Sequence, residues 1–533
     1  MSFVNVSKVP CCCSTNKENL TALELCHIIR REVSCRMLVQ YVDYLNLCFC
    51  HLGISSIPMF GLIVICMLLF SFAMLHVLTK FFFIPNFVTI IQYAPMSTFG
   101  NCYLFFGLFF IMPYYLGDWP ICDHKHGALC ALQISKLIGD ILKFFVVGVM
   151  VICIQGHRVE GVTLWSSMAF LMIIMGYLSK MISIRYKMMA DGVFDPPYEH
   201  LFLFRSLFFV YTFILILILV FVVSHETYKR KATRGSTEHE TFSDIDSDDE
   251  ILGDYQKMLT FSTKELWWNS VNGYKNLHDY FTPLKIIMIP PYTLLAHVIP
   301  VLTDRRYLHG WSKYVVCSSL ILFPFVCIPV CFSGPIWILI LTISWFSSVL
   351  VFISTHSLRR PNFVWIFAVI GILISSVTMT LLSREVENLI WQYIRMRYRM
   401  DPDHIPLMYF GICEVFCLAI IVSDLQQRRM SDASFGVVVS LLTYTTCLIF
   451  PFLYYQGCYN TKTEIAITAK TETTIQFIFL ILSTSVLHIS MSGYEFRMSL
   501  FFYLSGMTAM YVIYQWMIHY NWVQPLATLI RHQ

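Results

Sequence analysis

Apolar residues in this chain neither alternate nor recur along one stripe; they run. Predominantly apolar stretches of the length that crosses a bilayer core number about twelve. They lie near 57–79, 88–116, 129–154, 161–183, 202–224, 314–333, 335–355, 362–382, 404–425, 434–456, 473–491 and 497–519. Around twenty helical residues at 1.5 Å rise span such a core. The expected fold class is all-α: a polytopic membrane helical bundle of about twelve spans. The sixth and seventh spans are separated only by FSGP, Phe332–Pro335, and form a hairpin. The pattern divides the chain into a segment 1–56, a first membrane half 57–224, a polar loop 225–313, a second half 314–519 and a tail 520–533.

One run breaks its own pattern. QISKLIGDILKFFVVG, residues 133–148, carries Lys136, Asp140 and Lys143 inside the third span. Spacings of four and three put all three on one helix face. An ionisable group at the centre of a span costs at least about 2.5–3.5 kcal/mol on insertion scales, so these charges need partners or a purpose.

Composition agrees with the runs. Of 533 residues, 57% are hydrophobic and only 13% charged, where a soluble domain has about a quarter charged. A net charge of +4 without a basic stripe excludes nucleic acid as a partner. The lipid bilayer is the expected partner. There is no Walker loop, no GxSxG, no HExxH and no paired-cysteine zinc motif, so neither an enzyme nor a bound cofactor is expected. DHKHG (123–127) reads as an exposed loop.

Lys and Arg in short loops set the orientation. Lys80, Arg158, Arg359, Arg360, Arg428, Arg429 and the YKRKATR run at 228–234 share one side if the N-terminus lies on the other. The long loop then faces the cytosol or matrix, and both termini lie opposite. Arg384, Arg395, Arg397 and Arg399 fall in an outer loop between spans eight and nine and oppose this, interleaved with Glu385, Glu387, Asp401 and Asp403. Residues 229–254 read as a solvated linker, and 255–313 as an interfacial segment rich in aromatics and prolines.

Before the first span, Cys26, Cys35, Cys48 and Cys50 sit close enough in sequence to form a small disulfide framework in an oxidising compartment. Reduced thiols are the alternative. Asn5 and Asn19 head glycosylation sequons, which matter only in a secretory lumen. MSFVNVSKVP has no apolar core of the kind a signal peptide carries and is not an Arg-rich presequence.

Four stretches then carry a resemblance: CHIIRREVSCRMLVQYVDYLNLCFC (26–50), LTKFFFIPNF (78–87), LKIIMIPPYTLLAHVIPVLTDRRYLHGWSK (284–313) and SREVENLI (383–390). In order and spacing they resemble the mitochondrial-type sodium/calcium exchangers of the cation/Ca2+ exchanger superfamily. The resemblance implies two inverted repeats, here about 88–154 and 404–456, that face each other around transported Ca2+ and Na+. It implies calcium:sodium antiport by alternating access, and a place in the mitochondrial inner membrane, with a plasma or other secretory-pathway membrane as the alternative. It leaves the oligomeric state unknown.

The chain departs from the family at its ion-binding motifs. FFIMPY (109–114) puts Tyr114 where an aspartate belongs; a shifted register recovers Gly100 and Asn101 but again no acid. In the second repeat MYFGICEVFCLAIIVSD (408–424) supplies Gly411 and one mid-span acid, Glu414. Asp140, Glu414 and Asn101 are thus the ion-binding candidates, with Asp140 and Glu414 the candidate metal ligands. Lys136, Asp140 and Lys143 read either as an internal charge cluster replacing bound cations or, with Glu414, as a relocated carboxylate site; Lys136 reaching for the interface is a third reading. Three functions follow: a cation antiporter, a non-transporting regulatory relative, or a proton- or anion-linked carrier using Lys136, Asp140 and Lys143.

Overall fold

The computed structural model describes residues 26–27, 42–53, 57–94, 96–111, 127–190, 199–236, 267–268, 271–272, 277, 282–302, 311–331, 335–356, 361, 363–397, 404–461 and 469–525. Its helices, in chain order, are α1 Ile57–Leu78, α2 Ile84–Tyr93, α3 Thr98–Phe106, α4 Gly127–Gln155, α5 Gly161–Ala190, α6 Glu199–Ser236, α7 Thr282–Val298, α8 Lys313–Cys331 and α9 Pro335–Ser354. They continue with α10 Val364–Arg397, α11 His404–Tyr409, α12 Ile412–Gln427, α13 Ser431–Tyr444, α14 Phe450–Thr461, α15 Ala469–Met491 and α16 Met498–His519. Two short strands, β1 His157–Arg158 and β2 Glu495–Phe496, pair antiparallel and tie the loop after α4 to the loop before α16.

Among the described residues, eight helical stretches are long and apolar enough to cross a membrane, and three apolar helices are shorter. The fold is all-α in its spans. Helix positions follow the apolar runs closely, because each run is bounded by polar or turn-forming residues. Three boundaries differ. The expected loop around Lys80 is helical: a π-helical segment Thr79–Phe83 joins α1 to α2, giving one stretch over Pro58–Tyr93. The second expected span is instead interrupted, α2 ending at Tyr93 and α3 beginning at Thr98.

The third difference matters most. Residues 383–397, expected as an outer loop, continue α10 by some four turns. Val386, Leu389 and Ile394 recur at helical spacing and are buried, and so are Arg384, Glu387 and Arg395. The charges that read as a solvated loop are the polar face of a buried helix end.

The residues fall into two compact units. One comprises 1–71, 118–220 and 382–533; the other 72–117 and 221–381. In the first, α4 is central and packs against α11, α12, α13, α14, α15 and α16, while α5 packs on α15. Burial follows: 72% of the α4 window is buried, and 89% of the Ser431–Gln456 window. α4 is long and apolar enough to cross a membrane and is also largely buried among its neighbours, its charged residues included. In the second unit α7, α8 and α9 pack in series. Asn86 joins α2 to the chain after α7, its Nδ2 donating to the Pro300 carbonyl (2.8 Å) and its Oδ1 accepting from the Leu302 N–H (2.9 Å). Helices with windows only 28% buried, such as Val210–Tyr228, expose Phe213, Ile216, Leu217 and Val220, as a lipid-facing surface requires.

Candidate ion site at the second helix break

The site lies in the first unit, where α11 stops and α12 starts. The span His404–Gln427 is not one helix: it breaks at Phe410 and Gly411. Gly411 takes a left-handed conformation (φ 73°) that costs a residue with a Cβ about 1–2 kcal/mol. Space demands glycine as well, since a Cβ at 411 would run into the Asp140 carboxylate. Gly139, one residue before Asp140, lies so close to the Leu407 carbonyl that a Cβ there would collide with it. Two glycines thus bring α4 and the broken span into backbone contact.

A broken helix frees backbone groups that need partners in a dry interior. Charged side chains supply them. The Lys143 ammonium donates to the freed Phe410 carbonyl and, at 3.1 Å, to Asp140 Oδ1. The freed Gly411 N–H donates to Glu387 Oε1 at 3.1 Å. The other Glu387 oxygen accepts from Lys136 Nζ at 2.7 Å. One turn beyond the break, Glu414 Oε1 accepts from the Ser383 hydroxyl, and Glu414 Oε2 meets no hydrogen-bond donor among the described residues. Lys136 and Asp140 are fully buried, and the Lys143 side chain keeps 19% of its exposure. The assembly holds three carboxylates and two ammonium groups, with Asp140, Lys143 and Glu414 all near the middle of their spans.

The candidates from sequence distribute as follows. Asp140 and Glu414 both belong to this cluster, and each is already engaged: Asp140 by Lys143, Glu414 by Ser383. Lys136 does not reach for an interface; it is buried and paired. Among the described residues, no three His, Cys, Asp or Glu side chains are gathered so that they could hold a metal ion. Among those residues, Asp140 and Glu414 as a metal pair receive no third such ligand. Asn101 lies in the second unit. Its side-chain amide donates to the carbonyls of Ile91 (3.0 Å), Ala94 (3.4 Å) and Met96 (3.0 Å), closing the break before α3. Sequence reading missed Glu387 and Ser383 as parts of the site. A signal existed: a lysine inside a span requires an acid, and SREVENLI carries one on an amphipathic helical repeat.

The N-terminal segment abuts the same helix end. Cys26 and Cys50 form a disulfide with Cα atoms 5.1 Å apart. Cys48, expected in the framework, is instead a buried free thiol packed with Leu45, Phe49, Phe60 and Leu389; burial pushes its pKa up and keeps it protonated. Tyr44 Oη donates to Glu385 (3.0 Å), the Leu45 N–H to Gln392 (3.1 Å), and the Asn388 amide to the Val42 carbonyl (2.9 Å). Cys35, Asn5 and Asn19 lie outside the described residues.

The comparisons with known proteins decide the family likeness. The human protein named mitochondrial sodium/calcium exchanger protein is 23% identical over 405 residues, 70% of this chain and 66% of that protein. The proteins of that name from mouse and rat are 22% identical over 402 and 403 residues, with the same coverage. At this identity the chain is similar to proteins named mitochondrial sodium/calcium exchanger protein over most of its length. It matches 66% of the length of each of these exchangers. No protein-family model and no solved structure matches it. In this chain the second-half span is broken, and an ammonium group stands against the carbonyl at the break.

Proposed function

We propose that this chain is a secondary cation transporter of the mitochondrial inner membrane, working by alternating access as a calcium:sodium antiporter. About twelve spans and two inverted repeats, near 88–154 and 404–456, form its scaffold. The observation that supports this best is the break at Phe410–Gly411. A mid-span carbonyl at an interrupted helix, beside the Asp140 carboxylate, supplies oxygens of the two kinds that a hard cation takes as ligands. Glu414, one turn along, adds a carboxylate with a free oxygen. The relatives' printed name supports calcium and sodium as the ions and the mitochondrion as the place.

The test is flux in vesicles reconstituted with the full chain. Calcium uptake driven by an outward sodium gradient, lost in Asp140→Asn and reduced in Glu414→Gln, supports the reading. Wild-type vesicles that move neither calcium nor a monovalent cation overturn it. One observation favours a second reading: Lys143 already fills the position a cation would take, so a non-transporting exchanger-like protein is the alternative that such a null flux would leave standing.

A further inference from the structure

Lys143 is an odd residue to find at this break. Its ammonium touches two oxygens, Asp140 Oδ1 at 3.1 Å and the Phe410 carbonyl, and both are ligands that a metal cation would seek. Lys136 is committed to Glu387, so Lys143 is the ammonium left to face Asp140, and even with both lysines the cluster holds one more carboxylate than ammonium groups. Unlike Lys136, with a side chain 1% exposed, Lys143 keeps 19%. A four-carbon stem that is not fully enclosed leaves an ammonium room to swing away from its seat. The two lysines thus differ in kind: Lys136 is locked, and Lys143 is tethered.

We propose that Lys143 is a tethered cation that occupies the seat formed by Asp140 and the Phe410 carbonyl, and that it competes with the transported ion for those two oxygens. This rests on reading the break as the ion seat. With Lys143 in place, the protein carries its own counter-ion, and Asp140 is never a bare buried carboxylate in the empty state. An incoming cation gains the seat only by displacing the ammonium, and Glu414 Oε2, which meets no hydrogen-bond donor among the described residues, is a ligand open to it one turn away. Removing the competitor should therefore tighten binding. An opposite charge at this distance ordinarily moves a carboxylate's affinity for a proton by about one to three powers of ten, and a cation at the same oxygen feels the same competition.

The experiment is calcium binding to the full chain in detergent, by calorimetry and by terbium luminescence as an independent oxygen-seeking probe. Lys143→Gln is the principal variant, because its amide still donates to Asp140 and Phe410 while the charge is gone; Lys143→Met is the harsher companion. Both are compared with wild type after thermal unfolding shows that they fold. Lys143→Gln should bind calcium at least about tenfold more tightly than wild type. Lys143→Arg should behave as wild type, and Lys143→Gln combined with Asp140→Asn should lose the gain. A folded Lys143→Gln with wild-type affinity overturns the proposal. So does a gain that survives Asp140→Asn, which places the new site elsewhere. Vesicle flux separates this from the functional reading. Calcium flux by wild type with no gain in Lys143→Gln leaves transport standing and removes the competitor. A gain in Lys143→Gln with no wild-type flux of any cation keeps the tethered cation and removes transport.

Discussion

Among the described residues, the helical path breaks before α3 and again at Phe410–Gly411, and the two breaks are satisfied by opposite means. Before α3, the carbonyls at Ile91, Ala94 and Met96 are taken by one neutral amide, Asn101, from the next turn of the same chain segment. Ser97 caps the new helix through the Gly100 N–H at 3.1 Å and donates to the buried Glu226 carboxylate. At Phe410–Gly411, the freed carbonyl and N–H go to a lysine on α4 and a glutamate on α10. The first break is closed locally, by a side chain that cannot change its charge. The second is held by charges more than twenty residues away, each of which also serves another partner. A local neutral cap fixes a bend; a distant ionic cap leaves a seat that another ion can contest. The difference makes the second break the place to look for ion chemistry and the first a structural corner.

The largest expected effect tests the ionic half of this comparison. Glu387→Gln removes the carboxylate 2.7 Å from Lys136, whose side chain is 1% exposed. Breaking a buried pair from one side costs about 3–5 kcal/mol, because the remaining charge is stranded in low dielectric. Thermal unfolding in detergent should show a severe loss, and adding Lys136→Met should recover much of it. Equal stability of the single and double variants would mean that Lys136 is compensated elsewhere, and that the second break does not depend on this ion pair.

Asn101→Leu comes next and tests the neutral half. It removes the amide that bonds these carbonyls, of which the Ile91 bond is buried, and losing a buried hydrogen-bond partner costs about 1–3 kcal/mol. The loss should be insensitive to salt and should leave calcium binding at the other break unchanged. A change in cation affinity with stability intact would instead make Asn101 an ion ligand, as its place in the sequence first suggested.

That suggestion shows what the sequence could carry. The spans were legible because bilayer thickness imposes a length that composition reports directly, and the lysines and aspartate in the third span announced themselves by their cost. Glu387 was not legible as a site residue. Acid and arginine interleaved between two apolar runs read as a loop, and only the packing of α4 against the end of α10 turns that polar face inward. Nor was the role of Gly411 or Asn101 visible. A glycine inside a span is compatible with helix, and the left-handed turn at 411 is required by the nearness of Asp140, a tertiary fact. Likewise the pairing of Cys26 with Cys50, leaving Cys48 buried and free, depends on which thiol turns toward Phe60 and Leu389.

Gly411→Ala sharpens the comparison at its centre. It adds a methyl group where the Asp140 carboxylate stands, in a left-handed conformation that itself costs about 1–3 kcal/mol. The carboxylate must move, and with it the Lys143 ammonium. Stability should fall by about that amount, and calcium binding, gained in Lys143→Gln, should be lost in Lys143→Gln/Gly411→Ala. Retained binding would show that the seat does not need Asp140 where the structure places it.

The smallest effect is the most discriminating. Glu226 is 2% exposed and takes a hydrogen bond from Ser97, with His225 Nδ1 at 3.4 Å from its other oxygen. If the first break is a neutral corner, what matters is an acceptor for the Ser97 hydroxyl, and a glutamine amide oxygen is nearly as good as a carboxylate. Glu226→Gln should then change stability by no more than about 1 kcal/mol, the net value of a typical hydrogen bond. Glu226→Leu, which removes the acceptor, should cost more. A Glu226→Gln variant as damaged as Glu226→Leu would mean that the charge itself is needed beside the first turn of α3. The first break would then be ionic as well, the contrast with Phe410–Gly411 would collapse, and Glu226 would join Asp140 and Glu414 among the carboxylates to be tested in flux.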